Sequence, residues 1–225
     1  MEDWELAGNK DEYSSRYVEP YKGTFLDGKN VLFLGSSVTF GASSLEDGIP
    51  EYFGQRFDCR FVKEAVSGTT LVDSDETSYV SRLERNIDKA CSIDVFICQL
   101  STNDASQGKP LGEISTNGTF DTMTVTGAIE HIIKYVRDNW GCPIMFYTGS
   151  RYDSSNYSAM VARLYEIADK WDIGIIDLWN DDDFNNISEE TRDIYMKDPI
   201  HPTKAGYMRW WCPEMEKQVL KYMAK

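Results

Sequence analysis

The sequence predicts a three-layer α/β/α sandwich, a parallel sheet with helices on both faces. Short apolar runs of the kind a parallel sheet buries on both faces recur along the chain, beginning with Val31-Leu32-Phe33-Leu34. Helical periodicity fills the intervals between them, and the resulting β-α-β-α alternation implies right-handed crossovers. The first three runs break into small polar residues, at Gly35-Ser36-Ser37, Ser67-Gly68-Thr69-Thr70 and Ser101-Thr102-Asn103-Asp104. Ligand crevices of open α/β sheets lie at such strand carboxyl ends.

The elements follow in order. Residues 1–29 are polar and aromatic by turns, with Gly23 and Gly28 as breaks. They read as an N-terminal extension, with a strand or hairpin around Thr24-Phe25-Leu26, that packs its aromatics on the main domain of residues 30–225. The first strand, Asn30 to Gly35, delivers Ser37. A helix over Ile49 to Phe57 precedes the second strand, Phe61 to Val66, and a helix over Ser78 to Ala90 puts Val80, Leu83 and Ile87 on one face. Asp94 to Leu100 is the third strand. The polar loop from Ala105 to Thr122 is longer than most α/β connections and is expected to face the substrate as a flap. Val125 to Asn139 is helical, with Ile129, Ile132, Ile133 and Val136 aligned; Pro143 to Tyr147 is the fourth strand. A helix over Ser155 to Trp171 leads to the fifth strand, Ile173 to Trp179. Asn180 to Lys197 reads as a solvated polar loop, and Thr203 to Tyr222 as the last helix with Thr203 at its start.

Composition narrows the function. A chain of 225 residues with 41% hydrophobic and 13% aromatic residues buries a substantial core. Net charge of −14 and a pI near 4.6 argue against a nucleic-acid backbone or an anionic membrane as partner. Five cysteines, an odd number, form no Cys-x-x-Cys pair, and Cys98 inside an apolar strand reads as a buried reduced thiol. Met1-Glu2-Asp3-Trp4-Glu5 lacks an apolar signal core and no stretch is long enough to span a bilayer, so a cytosolic protein is expected.

The residues able to do chemistry are few. Ser37, at the end of a buried strand with backbone N–H groups on the turn that follows, is placed to attack an acyl carbon. Only two histidines are present. His131 lies within an apolar helix, where packing or a helix surface accounts for it. His201 lies in Asp198-Pro199-Ile200-His201-Pro202, a loop pinned by two prolines, where an acid three residues earlier can orient the ring and stabilise its imidazolium. The run Asp181-Asp182-Asp183 lacks the alternate spacing and ordering glycine of a calcium loop, so no metal is expected there. Walker, dinucleotide, zinc and Gly-x-Ser-x-Gly patterns are missing, and no cofactor is implied.

In these residues the sequence resembles the SGNH, or GDSL-type, hydrolase superfamily. Four blocks stand in family order: Gly35-Ser36-Ser37-Val38-Thr39, Ser67-Gly68, Ser101-Thr102-Asn103-Asp104 and Asp198-Pro199-Ile200-His201-Pro202. The resemblance implies Ser37 as nucleophile, His201 as general base and then acid, and Asp198 as its orienting carboxylate. The backbone N–H groups of Ser37 and Gly68 and the amide of Asn103 would form the oxyanion hole. The family's Gly-Asp-Ser reads here as Gly35-Ser36-Ser37, which raises Ser36 as a rival nucleophile; Ser37 takes the third place of the block. The expected fold is flavodoxin-like, with about five parallel strands in order 2-1-3-4-5. The expected activity is ester hydrolysis through an acyl-serine. The polar loop favours a short acyl group, acetate above all, on a sugar or other polar carrier, with Trp179, Trp210 and Trp211 as candidates for a stacking wall. Lipid esters, thioesters and a non-catalytic binding module are the alternatives.

Overall fold

A computed structural model describes residues 2–224; Met1 and Lys225, the outer ends of the two expected segments, lie outside the described residues. Five strands form one parallel sheet: β1 (Asn30–Gly35), β2 (Arg60–Ala65), β3 (Val95–Gln99), β4 (Ile144–Tyr147) and β5 (Gly174–Ile176), in the order β2-β1-β3-β4-β5. The sequence order reverses between β1 and β3, the place where open α/β sheets put their ligand crevice.

Strand alternation divides the core into two layers. Leu32, Leu34, Phe96, Cys98, Ile144 and Phe146 face one side, against α3 (Tyr79–Asn86), α5 (Val125–Asn139) and α6 (Ser155–Trp171). Val31, Phe33, Val95, Ile97, Met145 and Tyr147 face the other, against α2 (Ile49–Phe57) and the C-terminal helices. Two short helices, α1 (Ser37–Phe40) and α4 (Thr102–Ser106), follow β1 and β3 directly. Side-chain oxygens cap the long helices where the sequence offers them: Ser78 accepts from the Ser81 N–H, Thr124 from Gly127 and Ser154 from Tyr157. All five cysteines are free thiols, and burial pushes that of Cys98 well above its ordinary value. No helix of the described residues is long and apolar enough to cross a membrane.

Several expectations change. Thr24 to Leu26 is a turn and not a strand, because the Asp27 carboxylate accepts from the Gly23 and Thr24 N–H groups and satisfies them locally. The extension's Trp4, Tyr17 and Tyr21 are exposed, whereas Leu26 is fully buried in the core with Phe25 and Val18 packed against it, and polar bonds add to the hold. Asn9 Nδ2 donates to the Ser43 carbonyl while its Oδ1 accepts from the Lys204 N–H, and Tyr52 Oη donates to the Tyr13 carbonyl. The ends of the loop after α4 meet the segment that follows Gly68, where Lys109 reaches Ser74 Oγ and the Asp73 N–H donates to the Thr122 carbonyl, but its middle turns aside. It runs along α5 and α6, where Ser115 N–H donates to the buried Glu130 carboxylate, Lys170 reaches both Glu130 and the Ser115 carbonyl, and Phe120 meets Trp171.

Asn180 to Lys197 is partly helical, as α7 (Asp182–Asn185) and α8 (Glu189–Tyr195), because Asp181 and Ser188 cap them. The fifth strand is shorter than expected, since the N–H groups of Leu178 and Trp179 go to Thr148 Oγ1 and leave the ladder. The last helix is also interrupted. Thr203 caps α9 (Lys204–Gly206), a wider π turn spans Tyr207–Trp211, and α10 (Cys212–Met223) follows. Pro213 has no N–H to give the Arg209 carbonyl, and the ladder widens just before it. Trp179, Trp210 and Trp211 are buried in the core, so none forms an exposed stacking wall.

Candidate active site

The first strand ends at Gly35, and the chain turns sharply at Ser36 into α1, whose first residue is Ser37. As the first residue of a helix, Ser37 has an N–H without an intrahelical acceptor, and Val38 has another. The Gln99 side chain fixes this turn: its Oε1 accepts from the Ser36 N–H at 2.9 Å, the Thr39 N–H at 3.2 Å and the Thr39 hydroxyl at 2.9 Å. Ser36 is fully buried, whereas Ser37 Oγ lies 2.8 Å from His201 Nε2. Of the two serines, Ser37 is the one that meets the His201 ring.

His201 reaches Ser37 across 164 residues of sequence. Its ring is held from behind by Asp198, whose Oδ2 is 2.8 Å from Nδ1. The other carboxylate oxygen, Oδ1, accepts from the N–H groups of Ile200 and His201, each at 2.8 Å. A carboxylate only accepts, so Nδ1 carries a hydrogen, and in the neutral ring Nε2 then presents its lone pair to the Ser37 hydroxyl. Burial would push the Asp198 carboxyl up, but the His201 ring and the two backbone N–H groups outweigh it and hold the pKa down at about 2. The folded value lies below the ordinary 3.8, so the stabilisation is whole above pH 3.8 and is lost as pH falls through about 2. We expect carbon NMR of the Asp198 carboxyl to give a midpoint near 2, moving up toward the ordinary value in His201→Ala.

The strands on either side of β1 bring the other two candidates. Gly68 follows β2 in a left-handed turn at φ +82°, exposed, with open space where a Cβ would stand. A side chain there would be strained by the backbone and not by a neighbour. Asn103 lies in the first turn of α4, and its Nδ2 donates to the Thr69 carbonyl at 2.9 Å, which ties it to the Gly68 turn and leaves its second amide hydrogen. Asp104 is fully buried and accepts from the N–H groups of Leu71 and Val72 at 2.7 and 3.0 Å; burial pushes its carboxyl up in spite of those bonds.

Two supporting residues escaped the sequence reading. Gln99 is the polar member of an otherwise apolar strand, a signal that was there to be used. Arg82 lies on a helix whose apolar positions are obvious, so it reads as a solvated charge, yet it is 3% exposed. Its guanidinium donates to the carbonyls of Gly35, Glu64 and Thr77, to Thr69 Oγ1 and to the Glu64 carboxylate. One side chain thus joins the ends of β1 and β2 to the turn after Gly68. His131 pairs with Glu84 on the surface of α5, far in sequence from any of these residues.

Solved structures share this fold at low identity. A protein from Lactobacillus plantarum is similar at 20% identity with a TM-score of 0.69, covering 85% of this chain and 96% of its own. A carbohydrate acetylesterase family member from Sinorhizobium meliloti is similar at 17% identity and a TM-score of 0.61, over 88% of this chain and 100% of its own. A member of the lipolytic protein G-D-S-L family from Veillonella parvula DSM 2008 is similar at 15% identity and 0.60, over 88% and 100%. No curated protein sequence matches the chain. The sequence model of the GDSL-like Lipase/Acylhydrolase family, by contrast, matches residues 33–209, from the first strand through His201 to the start of the last helices. The chain belongs to the GDSL-like lipase/acylhydrolase family.

Proposed function

We propose that the protein is a serine esterase that removes short acyl groups, acetyl foremost, from a carbohydrate or another polar carrier. The observation that carries this reading is the relay of Ser37 Oγ, His201 and Asp198 with both contacts at 2.8 Å. Ser37 Oγ attacks the ester carbon as His201 Nε2 takes its proton, and Asp198 holds the ring and offsets the imidazolium charge. The N–H groups of Ser37 and Gly68 and the free amide hydrogen of Asn103 receive the developing oxyanion. His201 then returns the proton to the departing alcohol, and water hydrolyses the acyl-serine by the same path in reverse. Asn103→Ala is expected to lower kcat by about 10²- to 10³-fold. Its Thr69 contact makes a modest change in melting temperature an accompanying result.

The short-acyl reading rests on the ends of β3 and β4. A cavity of about 10 Å³ there is lined by Val38, Thr102 and Ile200, the chain neighbours of Ser37, Asn103 and His201, together with Gly149 and Tyr152. That is room for about one water-sized group. The net charge of −14 disfavours anionic carriers. The name of the Sinorhizobium meliloti relative, a carbohydrate acetylesterase family member, agrees with the class of substrate. Hydrolysis of p-nitrophenyl acetate, butyrate and octanoate tests the reading. Turnover should fall steeply with chain length, and a preference for octanoate would move the substrate to lipids.

A further inference from the structure

The two edges of the sheet are finished differently. Outside β5 the Gln218 amide closes the edge: its Nε2 donates to the Asp177 carbonyl and its Oε1 accepts from the Asp177 N–H. Outside β2 no strand follows. The N–H groups of Arg60 and Val66 donate to the carbonyls of Lys29 and Gly35, so by alternation Arg60, Val62 and Glu64 turn their peptide groups toward β1. Phe61, Lys63 and Ala65 therefore turn theirs outward, where no hydrogen bond among the described residues takes them up. The same edge is apolar, with Phe61 and Val62 each 38% exposed and Val66 41%. A bare, apolar edge is a template for another strand.

We propose that β2 pairs antiparallel with β2 of a second copy of this chain, about a two-fold axis at Val62, so that the two five-stranded sheets become one. Charge complementarity selects this occupant and this register. The outward peptide groups can bond only where Phe61, Lys63 and Ala65 stand opposite one another, which places the axis on a residue and not between two. An axis on Lys63 or on Glu64 sets that charge against itself, and an axis on Phe61 sets Glu64 against Asp58. An axis on Val62 sets Arg60 opposite Glu64 on both sides, with Val62 facing itself and Phe61 exchanging backbone bonds with Lys63. Both charged groups have an atom to spare. Arg60 holds Asn30 through Nε and the Gly28 carbonyl through Nη2, which leaves Nη1. Glu64 receives Arg82 and Asn86 on Oε1, which leaves Oε2. By alternation Arg60, Val62 and Glu64 share one face of the sheet, so the opposed charges meet on the same side.

The test is sedimentation velocity of the full chain at roughly 100 µM, where even a micromolar dimer is largely formed. Each copy carries a net charge of −14, so the run is made in about 0.15 M salt, which screens repulsion beyond about 8 Å. The parent should sediment at twice its 25.7 kDa, and Val62→Lys, which sets two ammonium groups against each other at an exposed position, at 25.7 kDa. Register is read by disulfide trapping. Opposed residues that are not hydrogen-bonded stand about 4.5 Å apart between Cα atoms, within reach of a disulfide. Val62→Cys should therefore link two copies under oxidised glutathione, whereas Val66→Cys, on the same face but far from the axis, should not. The parent run alongside accounts for the exposed Cys91 thiol. A parent mass of 25.7 kDa overturns the proposal. So does a dimer that persists in Val62→Lys, or one in which Val62→Cys links no better than Val66→Cys.

Discussion

Ser37→Ala is expected to lower kcat for acetate esters by about 10⁶-fold, the size of loss seen when a serine nucleophile is removed from a triad that acts as a unit. His201→Ala should cost about as much, and the double variant little more than either, because in the proposed mechanism His201 has no task without the hydroxyl it would deprotonate. Asp198→Asn is expected to lose about 10⁴-fold, since an amide in place of the carboxylate no longer enforces the tautomer with hydrogen on Nδ1. Ser36→Ala serves as the control. Its hydroxyl is fully buried, and its contribution to the turn comes through the backbone N–H held by Gln99. Labelling by a fluorophosphonate should therefore persist in Ser36→Ala and vanish in Ser37→Ala. Equal hydrolysis by the Ser37→Ala protein and the parent would refute the assignment.

The second large effect is on stability. Arg82→Ala is expected to destabilise the fold by about 3–5 kcal/mol, because it leaves the Glu64 carboxylate, 16% exposed, without its partner and strips three carbonyls of a donor. For a domain of this size that is roughly 10 °C in melting temperature. Arg82→Lys should recover only a fraction, since an ammonium group has no planar fork with which to span Gly35, Glu64 and Thr69 together. Activity should fall well below the melting transition as well, because the same guanidinium holds the turn that carries Gly68. A melting temperature within a degree or two of the parent would show that the network is dispensable.

Much of this architecture was legible in the sequence because local and global signals agree. The helices Ile49–Phe57, Val125–Asn139 and Ser155–Trp171 occupy the expected residues, each with a proline or a side-chain cap marking its start. The parallel sheet follows from the alternation of elements, and its order from the fold that the family resemblance implies. Ser37 and His201 were legible as a pair because four short motifs occur in a fixed order at strand ends, although no periodicity brings residues 164 apart together. What the sequence did not disclose depends on long-range polar partners. Glu130 is fully buried and captures the Ser115 N–H, which draws the middle of the polar loop along α5 and α6. Arg82 escaped for the same reason, since its acceptors are carbonyls, which every residue carries.

Asn9 has a consequence for the order in which the molecule becomes competent. It joins the Ser43 carbonyl, just beyond the helix that begins with Ser37, to the Lys204 N–H, just beyond His201, and the latter bond spans 195 residues of sequence. Contacts so distant along the chain are the ones for which loop-closure entropy must be met before any reward is gained. The proposed ester hydrolysis would thus report late folding events. During refolding, helical circular dichroism should recover first and turnover last, when the first and final quarters of the chain meet over the nucleophile.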